Sequence, residues 1–391
     1  MVTKNWIVLL FVLLSAAGCK EKSFNVPIET DQTPPGPVQN VRAEALNGAV
    51  KLTYSIPDDP DLLCVLAQYA IREGKNEEMT ASLYMNNMVL EGFNDTVDYP
   101  VRLYAVDRSG NRSEPVDVTV KPLVSPVAMA YEQLSYVASF GGIKVNFLNE
   151  PKANLIFSVI LKDSVGFWED YDLFYTSQQQ GDFAVRGLPA KSTVFGVSVK
   201  DKWGNYSDTM VQELTPIFEE ELDYTKFRFI GLESDMDHVI WDVNGLWAAG
   251  AGGFHSPDNA GFPGWFTFDM GVIAKLSRFK MWGLTDGREF SGGHAKRFQV
   301  WGSLDPATDG SFDGWTLLQD CVVNKPSGLP SGELSNEDIE LAKAGFEFEI
   351  PLEAPEVRYI RIKVLSSFSQ PEGSNTGSFW IRRFAFWGSS Q

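Results

Sequence analysis

The sequence is poor in the residues that build metal and redox sites. It contains three cysteines and three histidines among 391 residues, with no Cys-x-x-Cys pair and no Cys/His cluster. A zinc site made from these ligands is therefore not expected. Cys64 and Cys321 fall in different predicted domains, so a disulfide between them is not expected either.

Positive charge and long amphipathic helices are also scarce. The 33 Lys and Arg residues against 51 Asp and Glu residues give a net charge of −18. This charge repels phosphate backbones, so we expect no nucleic acid partner, whereas a neutral ligand is compatible with it. Aromatic residues make up 13% of the chain, which also holds 34 glycines and 21 prolines. This composition favours strands and turns and predicts an all-β protein.

Residues 1–18 have the pattern of a secretory signal peptide. Lys4 precedes a short apolar run from Ile7 to Leu14, and small residues then lead to Cys19. The run is too short for a membrane span, which needs roughly 20 apolar residues. A plain cleaved signal or a signal anchor would be the alternative interpretations.

A cysteine directly after small residues resembles the bacterial lipobox, although Ala16 stands where Leu is more usual. The resemblance implies that Cys19 is lipidated and that the protein is an outer-membrane lipoprotein facing the cell exterior. Residues 19–36 hold Pro27, Pro34, Pro35 and Gly36 among polar residues, which predicts an extended tether.

An internal repeat with an offset of 94 residues divides the middle of the chain. Residues 103–113 and 197–207 both read as an alternating strand followed by Asp-x-x-Gly-Asn-x-Ser. In each copy the Asp is expected to cap a turn between two paired strands. The spacing is the length of one small β-sandwich, so we predict one sandwich over residues 37–122 and a second over 123–217.

The opening Pro-Pro-Gly-Pro-Val and the strand Gly48 to Tyr54 resemble fibronectin type III domains. Residues 57–63 and 103–111 more closely resemble a fibronectin-like family found at the start of lipoproteins of glycan-foraging gut bacteria. The resemblance implies spacer or protein-binding modules. Glu219 to Glu221, after the second unit, is interpreted as a solvated linker.

Residues 218–391 are predicted to form a β jelly roll. In the segment 264–271, Trp265, Thr267 and Asp269 alternate with Phe266 and other apolar residues, and residues 358–364 alternate likewise. Several such strands separated by Gly-rich loops make an antiparallel sandwich. The tryptophans in strand patterns are expected in its core, and these are Trp265, Trp282, Trp301, Trp315 and Trp387.

The order of these motifs resembles the discoidin fold, the coagulation-factor type C or galactose-binding-like domain. The resembling segments include Trp241 to Gly245, Gly264 to Gly271, residues 297–303 and residues 358–364. The resemblance extends to discoidin-like domains of gut-bacterial lipoproteins encoded beside outer-membrane glycan-import systems. It implies a carbohydrate ligand, with the glycan-import proteins as further partners.

In that fold, ligand contacts lie on loops at one end. Three loops qualify, at residues 246–263, 284–296 and 366–378, because they gather aromatic and hydrogen-bonding side chains on Gly-rich backbone. His255 has an alternative interpretation as a structural hydrogen-bonding residue. The candidate ligand-binding residues are Trp247, Phe254, His255, Arg288, Phe290, His294 and Asn375.

Discoidin-like sugar-binding domains often hold a structural calcium ion near an Asp-Gly turn. Asp242 and Asn244 match that turn loosely, whereas Arg383 stands where a Glu ligand is found. A cationic side chain there would repel Ca²⁺, so calcium is a weak expectation and no other cofactor is expected.

We therefore predict a non-catalytic surface lipoprotein that captures glycan for a polysaccharide-utilisation system through its C-terminal domain. The first alternative is a structural or protein-interaction component of an outer-membrane complex. An enzyme such as a glycoside hydrolase is not expected. No pair of carboxylates, nucleophile elbow or metal-ligand set occurs in a motif context.

Overall fold

The computed structural model describes residues 31–163, 165–248 and 252–390, so the predicted signal peptide and Cys19 lie outside the described residues. Strands dominate the described chain, with two short α-helices, α1 (Pro126–Glu132) and α2 (Asn336–Ala344). Neither helix has the length and apolarity needed to cross a membrane. Three separate clusters of buried apolar side chains mark three β-sandwich units.

The first sandwich packs a three-stranded antiparallel sheet against a four-stranded one. Its strands are β1 (Gln39–Leu46), β2 (Ala49–Ser55), β3 (Leu62–Arg72), β4 (Lys75–Ser82), β5 (Asn87–Glu91), β6 (Tyr99–Asp107) and β7 (Val116–Val120). The sheet orders are β1-β2-β5 and β4-β3-β6-β7. In β2 the buried Val50, Leu52 and Tyr54 alternate with less buried residues, so one face of the strand fills the core.

The second sandwich begins with α1 and repeats the three-plus-four arrangement. Its strands are β8 (Ser135–Ser139), β9 (Gly142–Leu148), β10 (Leu155–Lys162), β11 (Trp168–Thr176), β12 (Gln180–Val185), β13 (Thr193–Asp201) and β14 (Met210–Leu214). The sheet orders are β12-β9-β8 and β11-β10-β13-β14. The expectation of two fibronectin-like sandwiches is confirmed.

The two copies of the 94-residue repeat form the same hydrogen bonds at the turns after β6 and β13. The Asp107 carboxylate accepts hydrogen bonds from the backbone N–H and the side-chain amide of Asn111, both at 2.8 Å. Ser113 Oγ accepts from the backbone N–H of Ala105 at 3.0 Å. The second repeat makes the same bonds at 3.0, 2.9 and 2.9 Å through Asp201, Asn205 and Ser207.

The turn of the second sandwich docks on the first. Trp203 packs against the first core, and the Asn205 side-chain amide donates to the Gly92 carbonyl at 3.0 Å. Lys75 Nζ donates to the Trp203 carbonyl at 2.6 Å. Gly92 has φ 98°, and a Cβ at this position would lie 3.1 Å from the Trp203 ring, which makes glycine the fitting residue.

Glu219 joins the second sandwich to the third. Its Oε1 accepts from Arg186 Nη1 at 2.8 Å on one side, and from Ser277 Oγ at 2.6 Å on the other. Arg278 Nε lies 3.3 Å from the same oxygen. The expectation of a solvated linker at Glu219 to Glu221 was wrong, because a carboxylate between two guanidinium groups ties the domains together.

The third unit is a sandwich whose two sheets share one long strand, β18 (Gly264–Trp282). The first part of β18 pairs with β22 (Val357–Ser367) and the second with β24 (Arg383–Ser389). Asp269 Oδ1 accepts from the Gly271 N–H at 2.7 Å where the strand passes between sheets. Phe266, Phe268 and Met270 are fully buried between the sheets, as their alternation predicted.

Further strands complete both sheets. The sheet of β22 also holds β16 (Arg228–Phe229), β19 (Ala295–Ser303) and β20 (Thr316–Val322). The sheet of β24 also holds β15 (Glu220–Glu221) and β21 (Phe346–Glu349). A small ribbon of β17 (Phe254–His255) and β23 (Trp380–Ile381) lies apart from them. Within the described residues, the chain is thus an all-β protein of three sandwiches.

Candidate functional site

The three predicted loops meet at one end of the third sandwich. The pairing of β17 with β23 places His255 opposite Trp380. The Phe262 N–H donates to the Ser374 carbonyl at 2.8 Å, and the Phe368 N–H donates to the His294 carbonyl at 3.0 Å. The loops therefore form one connected end, but their side chains differ from the expectation.

The prediction that Trp247, Phe254 and Phe290 contact a ligand was wrong, because all three side chains are buried. The Phe254 ring stacks on Phe266, with centroids 4.1 Å apart. The Trp247 ring lies 4.4 Å from Phe268. The loops fold their rings inward because this core is built largely from aromatic side chains, and burying such rings away from water lowers the free energy.

His294 is also buried, which contradicts its predicted role in ligand binding. Its Nδ1 accepts the Phe290 N–H at 3.1 Å, and its ring lies among Phe290, Phe346 and Phe368. Burial lowers the pKa of His294 to about 4 because the imidazolium ion would lose its hydration. The residue is a neutral core histidine at physiological pH.

The remaining three candidates differ in exposure. His255 is nearly buried between Trp241 and Trp380, and its Nδ1 lies 2.7 Å from the Ser256 carbonyl. This geometry agrees with the structural interpretation of His255. Arg288 and Asn375 are exposed, and Arg288 Nε donates to Asp286 Oδ1 at 2.9 Å. These two residues stay predicted ligand contacts.

The predicted calcium residues have a local structural role. Asp242 Oδ1 accepts from the backbone N–H and the side-chain amide of Asn244, both at 3.0 Å, and so caps the 3₁₀ turn Val243–Leu246. Among the described residues, the one group of three clustered carboxylates is Asp31, Asp61 and Asp107, in the first sandwich. Calcium at Asp242 stays an untested prediction.

A partly exposed group of rings lies on the outer face of the sheet that contains β18, β19 and β22. We call it the aromatic platform and define it as Trp265, Trp301, Phe312 and Lys363. The Phe312 ring stands between the two indoles, with centroids 5.3 Å from Trp265 and 5.1 Å from Trp301. Lys363 Nζ lies 4.9 Å from the Phe312 centroid, and all four side chains are partly exposed.

Polar side chains fix the two indoles. Trp265 Nε1 donates to Ser234 Oγ at 3.2 Å, and Trp301 Nε1 donates to Gln299 Oε1 at 3.2 Å. The strand register explains the spacing, because Trp265 pairs with Lys363 and Lys363 pairs with Gln299 across the sheet. The rings are therefore held by the sheet rather than by a flexible loop.

A fully buried arginine holds Phe312 in place from below. Arg361 Nη1 donates to the carbonyls of Gly310 and Ser311 at 2.9 and 2.8 Å, and Arg361 Nε donates to Thr267 Oγ1 at 3.0 Å. The guanidinium lies 4.6 Å from the Phe312 centroid. Charge-assisted bonds to two consecutive carbonyls fix the loop that carries the ring.

Asp235 supplies the nearby negative charge for Arg361, at an oxygen to nitrogen distance of 3.7 Å. Burial raises the pKa of Asp235, although Leu232, Thr267 and Arg361 oppose that shift. Burial also lowers the pKa of Arg361. The pair is thus largely removed from water beneath the platform, which favours a fixed geometry for the rings above it.

The expectation that the strand tryptophans are core residues was wrong for Trp265, Trp282, Trp301 and Trp387, which are partly exposed; Trp315 is buried. The alternation in residues 264–270 contained the signal. It placed Trp265 on the face opposite Phe266, and that face turned out to be the outer one. The contribution of Phe312, from the loop between β19 and β20, had no comparable sequence signal.

Two shallow cavities, of about 350 and 340 Å³, flank Phe368 at the loop end. Lys296 lines both, with its Nζ 5.5 Å from the Phe368 centroid. Arg297 at the rim is paired with Asp320 at 2.8 Å and with Glu372 at 2.9 Å. Paired charges and one partly buried ring make this a weaker binding surface than the aromatic platform.

Three domain families of unknown function match the chain. DUF4959 matches residues 35–122, DUF5126 matches 123–225 and DUF5000 matches 241–388. None of the curated proteins matches the chain significantly.

Among solved structures, the SusE-like protein BT2857 is 36% identical and covers 67% of this chain and 98% of its own, with a TM-score of 0.45. A two-domain fibronectin type III segment of chicken tenascin is 14% identical, covering 46% of this chain and 99% of its own, with a TM-score of 0.23.

Together the fold and the site define a three-domain β-sandwich protein with a partly exposed aromatic platform. The identity with BT2857 extends over nearly all of that relative. The chain therefore belongs to the SusE-like proteins.

Proposed function

We propose that this protein is a non-catalytic, cell-surface glycan-binding component of a polysaccharide-utilisation system, and that its third sandwich binds the glycan. The observation that carries the proposal is the aromatic platform, in a chain of the SusE-like family. Indole faces pack against the C–H groups of a sugar ring, while nearby polar groups bond to its hydroxyls. In this proposal Lys363 and Gln299, which lie among the rings, supply those polar groups.

The discoidin-like identity of the third sandwich belongs to the same proposal. Its support is the motif order in the sequence and a sandwich whose loops gather at one end. The platform is nevertheless on a sheet face, so the proposed site differs from the loop-end site that the resemblance implies. Arg288 and Asn375 at the loop end are secondary candidates.

The proposal includes acylation at Cys19 and an outer-membrane location facing the exterior, with glycan-import proteins as partners. Its support is the signal-like sequence of residues 1–18 followed by the lipobox-like cysteine. Two or more acyl chains hold a protein firmly on a membrane. The net charge of −18 favours a neutral glycan over a polyanionic one.

Affinity gel electrophoresis of the full chain tests the platform. The gels contain a panel of neutral polysaccharides, for example starch, xylan, mannan, galactan and β-glucan. We expect at least one to retard the wild type, and the double variant Trp265→Ala/Trp301→Ala to lose at least tenfold in affinity for it. Trp387→Ala is the matched control, because this partly exposed tryptophan lies in the other sheet.

Circular dichroism must show that the variants remain folded. If none of the polysaccharides retards the wild type, the glycan-binding function is wrong. If the double variant binds as the wild type does, the function stands but the platform is not its site.

A further inference from the structure

The outer face of the four-stranded sheet in the second sandwich is unusually apolar along its edge strand β11. Trp168, Leu173 and Tyr175 are 41, 40 and 66% exposed. Phe174, between the last two, packs inward against the second core. Leu173 and Tyr175 therefore share the outer face, because neighbouring residues of a strand point to opposite sides. A β-bulge in β11, opposite Val159 and Ile160, shifts the register by one residue and brings Trp168, paired with Lys162, to the same face.

The repeat supplies a matched comparison within the same chain. β3 and β4 of the first sandwich correspond to β10 and β11 of the second, since β6 and β13 are aligned by the equivalent Asp107 and Asp201. In the first sandwich the register pairs Cys64 with Ser82, Leu66 with Thr80 and Ala70 with Asn76. In the second it pairs Ile156 with Tyr175, Ser158 with Leu173 and Lys162 with Trp168.

The edge strand thus carries Ser82, Thr80 and Asn76 in one sandwich, and Tyr175, Leu173 and Trp168 at the corresponding places in the other. The first sandwich shows that this sheet forms with polar residues there. The large side chains of β11 are therefore not required by the fold. Leaving them exposed forgoes about 25 cal/mol for each Å² of apolar surface that burial would remove from water.

The chemistry around the rings fits a neutral polyhydroxylated ligand. Lys162 Nζ lies 5.4 Å from the Trp168 ring centroid, and Ser158 pairs with Ser198 in the middle of the face. Asp170 and Lys200 lie on the same face, next to Ile160 and Ile156. Hydrogen-bonding groups of both charges are interleaved with the rings, whereas the centre of a protein interface is depleted of charge.

We propose that this face, defined by Trp168, Leu173, Tyr175 and Ser198, is a second glycan-binding surface that takes a neutral polysaccharide chain. The inference rests on the proposed function and extends it to the second sandwich. A long glycan that engages this face and the aromatic platform binds more tightly than either site alone, because the second contact is intramolecular.

The experiment uses the full chain and a repeat-swap variant, Trp168→Asn/Leu173→Thr/Tyr175→Ser, which introduces the residues of the first sandwich. A control variant, Asn76→Ala/Thr80→Ala/Ser82→Ala, alters the corresponding edge of β4. The ligands are a polysaccharide that retards the wild type and an oligosaccharide prepared from it. Calorimetry with the oligosaccharide should give two sites in the wild type and in the control, and one in the repeat-swap variant.

The repeat-swap variant should also bind the polysaccharide at least tenfold more weakly. If calorimetry finds a single site in the wild type, and the repeat-swap variant keeps that site unchanged, this inference is overturned. The platform can still be a binding site in that case. If the repeat-swap variant loses binding and Trp265→Ala/Trp301→Ala binds as the wild type does, this face is supported as a glycan site and the platform is excluded. If the repeat-swap variant keeps both sugar sites but no longer binds an outer-membrane protein that the wild type binds, this face is a protein interface and the inference is overturned.

Discussion

Arg361 shows how one residue determines the shape of the aromatic platform. Its side chain is fully buried, yet it carries a charge that is met by two backbone carbonyls, a threonine hydroxyl and Asp235. Removing one member of such a buried network leaves the others unpaired, which is why these networks fix a single geometry. The position of the partly exposed Phe312 ring therefore depends on buried groups that no ligand can touch.

His294 gives the residue-scale prediction, a loss of stability in acid. Burial holds its pKa at about 4 in the folded protein, against 6.5 for the free side chain. The unfolded chain binds the proton more readily than the folded protein does. The contribution of neutral His294 to stability is therefore fully present above pH 6.5. It is lost as the pH falls towards 4, by up to about 3 kcal/mol.

The measurement is chemical denaturation of the wild type and His294→Gln between pH 7.5 and 4. The free energy of unfolding of the variant should fall less steeply than that of the wild type across this interval. Other titrating groups are common to both proteins and cancel in the difference. Equal slopes would contradict the assignment of this pH dependence to His294.

The repeated turn is the clearest case at the scale of elements. The two copies share their Asp, Asn and Ser hydrogen bonds, so the motif is a turn that positions two strands. The copies differ at Ser109 and Trp203, which stand at corresponding positions. Only the tryptophan packs into the neighbouring sandwich, which turns a local motif into a domain contact.

We predict that Trp203→Ser weakens the contact between the first two sandwiches. The half-buried indole fills space against Gly92, so its loss should cost about 2 kcal/mol, below the roughly 3–5 kcal/mol of a fully buried tryptophan. Calorimetry should show a lower melting temperature for the first sandwich. Ser109→Ala is the matched control, and a melting curve shifted equally by both variants would argue against a domain contact.

At the scale of the whole molecule, Glu219 joins the second and third sandwiches. It lies between Arg186 and Arg278, and Arg186 also reaches Glu349 of the third sandwich at 2.9 Å. The two proposed glycan-binding surfaces lie on either side of this connection. Its stiffness therefore affects whether one polysaccharide can engage both.

Glu219→Ala should destabilise this junction, because two guanidinium groups lose their shared acceptor. Because these side chains are partly buried, the expected cost is about 2 kcal/mol, below the roughly 3 kcal/mol for breaking a fully buried pair. Small-angle X-ray scattering should show a larger maximum dimension, and limited proteolysis should be faster near residues 216–222. Glu220→Ala is the control, since its side chain accepts only an exposed hydrogen bond from Ser390 among the contacts described. A scattering curve identical to that of the wild type would contradict the prediction.

The sequence by itself determined the all-β class, the two fibronectin-like sandwiches and the repeated turn, because alternation and turn chemistry are local properties of the chain. It also indicated that Trp265 and Phe266 face opposite sides of a strand. It could not say which side faces water, since this strand carries aromatic rings on both faces. The buried face is the one that the second sheet covers, and the position of that sheet is not encoded locally. The rings at Trp247, Phe254 and Phe290 were placed wrongly because the sequence does not say whether a loop turns its side chains into the core or towards water.

Only the tertiary structure decided where the exposed rings are. The platform combines residues from β18, β19, β22 and a loop, and Phe312 reaches it because buried Arg361 holds that loop. The face of β11 became visible through its strand register with β10 and the comparison with β4. Register and loop closure depend on contacts between distant segments, and these contacts decide which side chains remain available to a ligand.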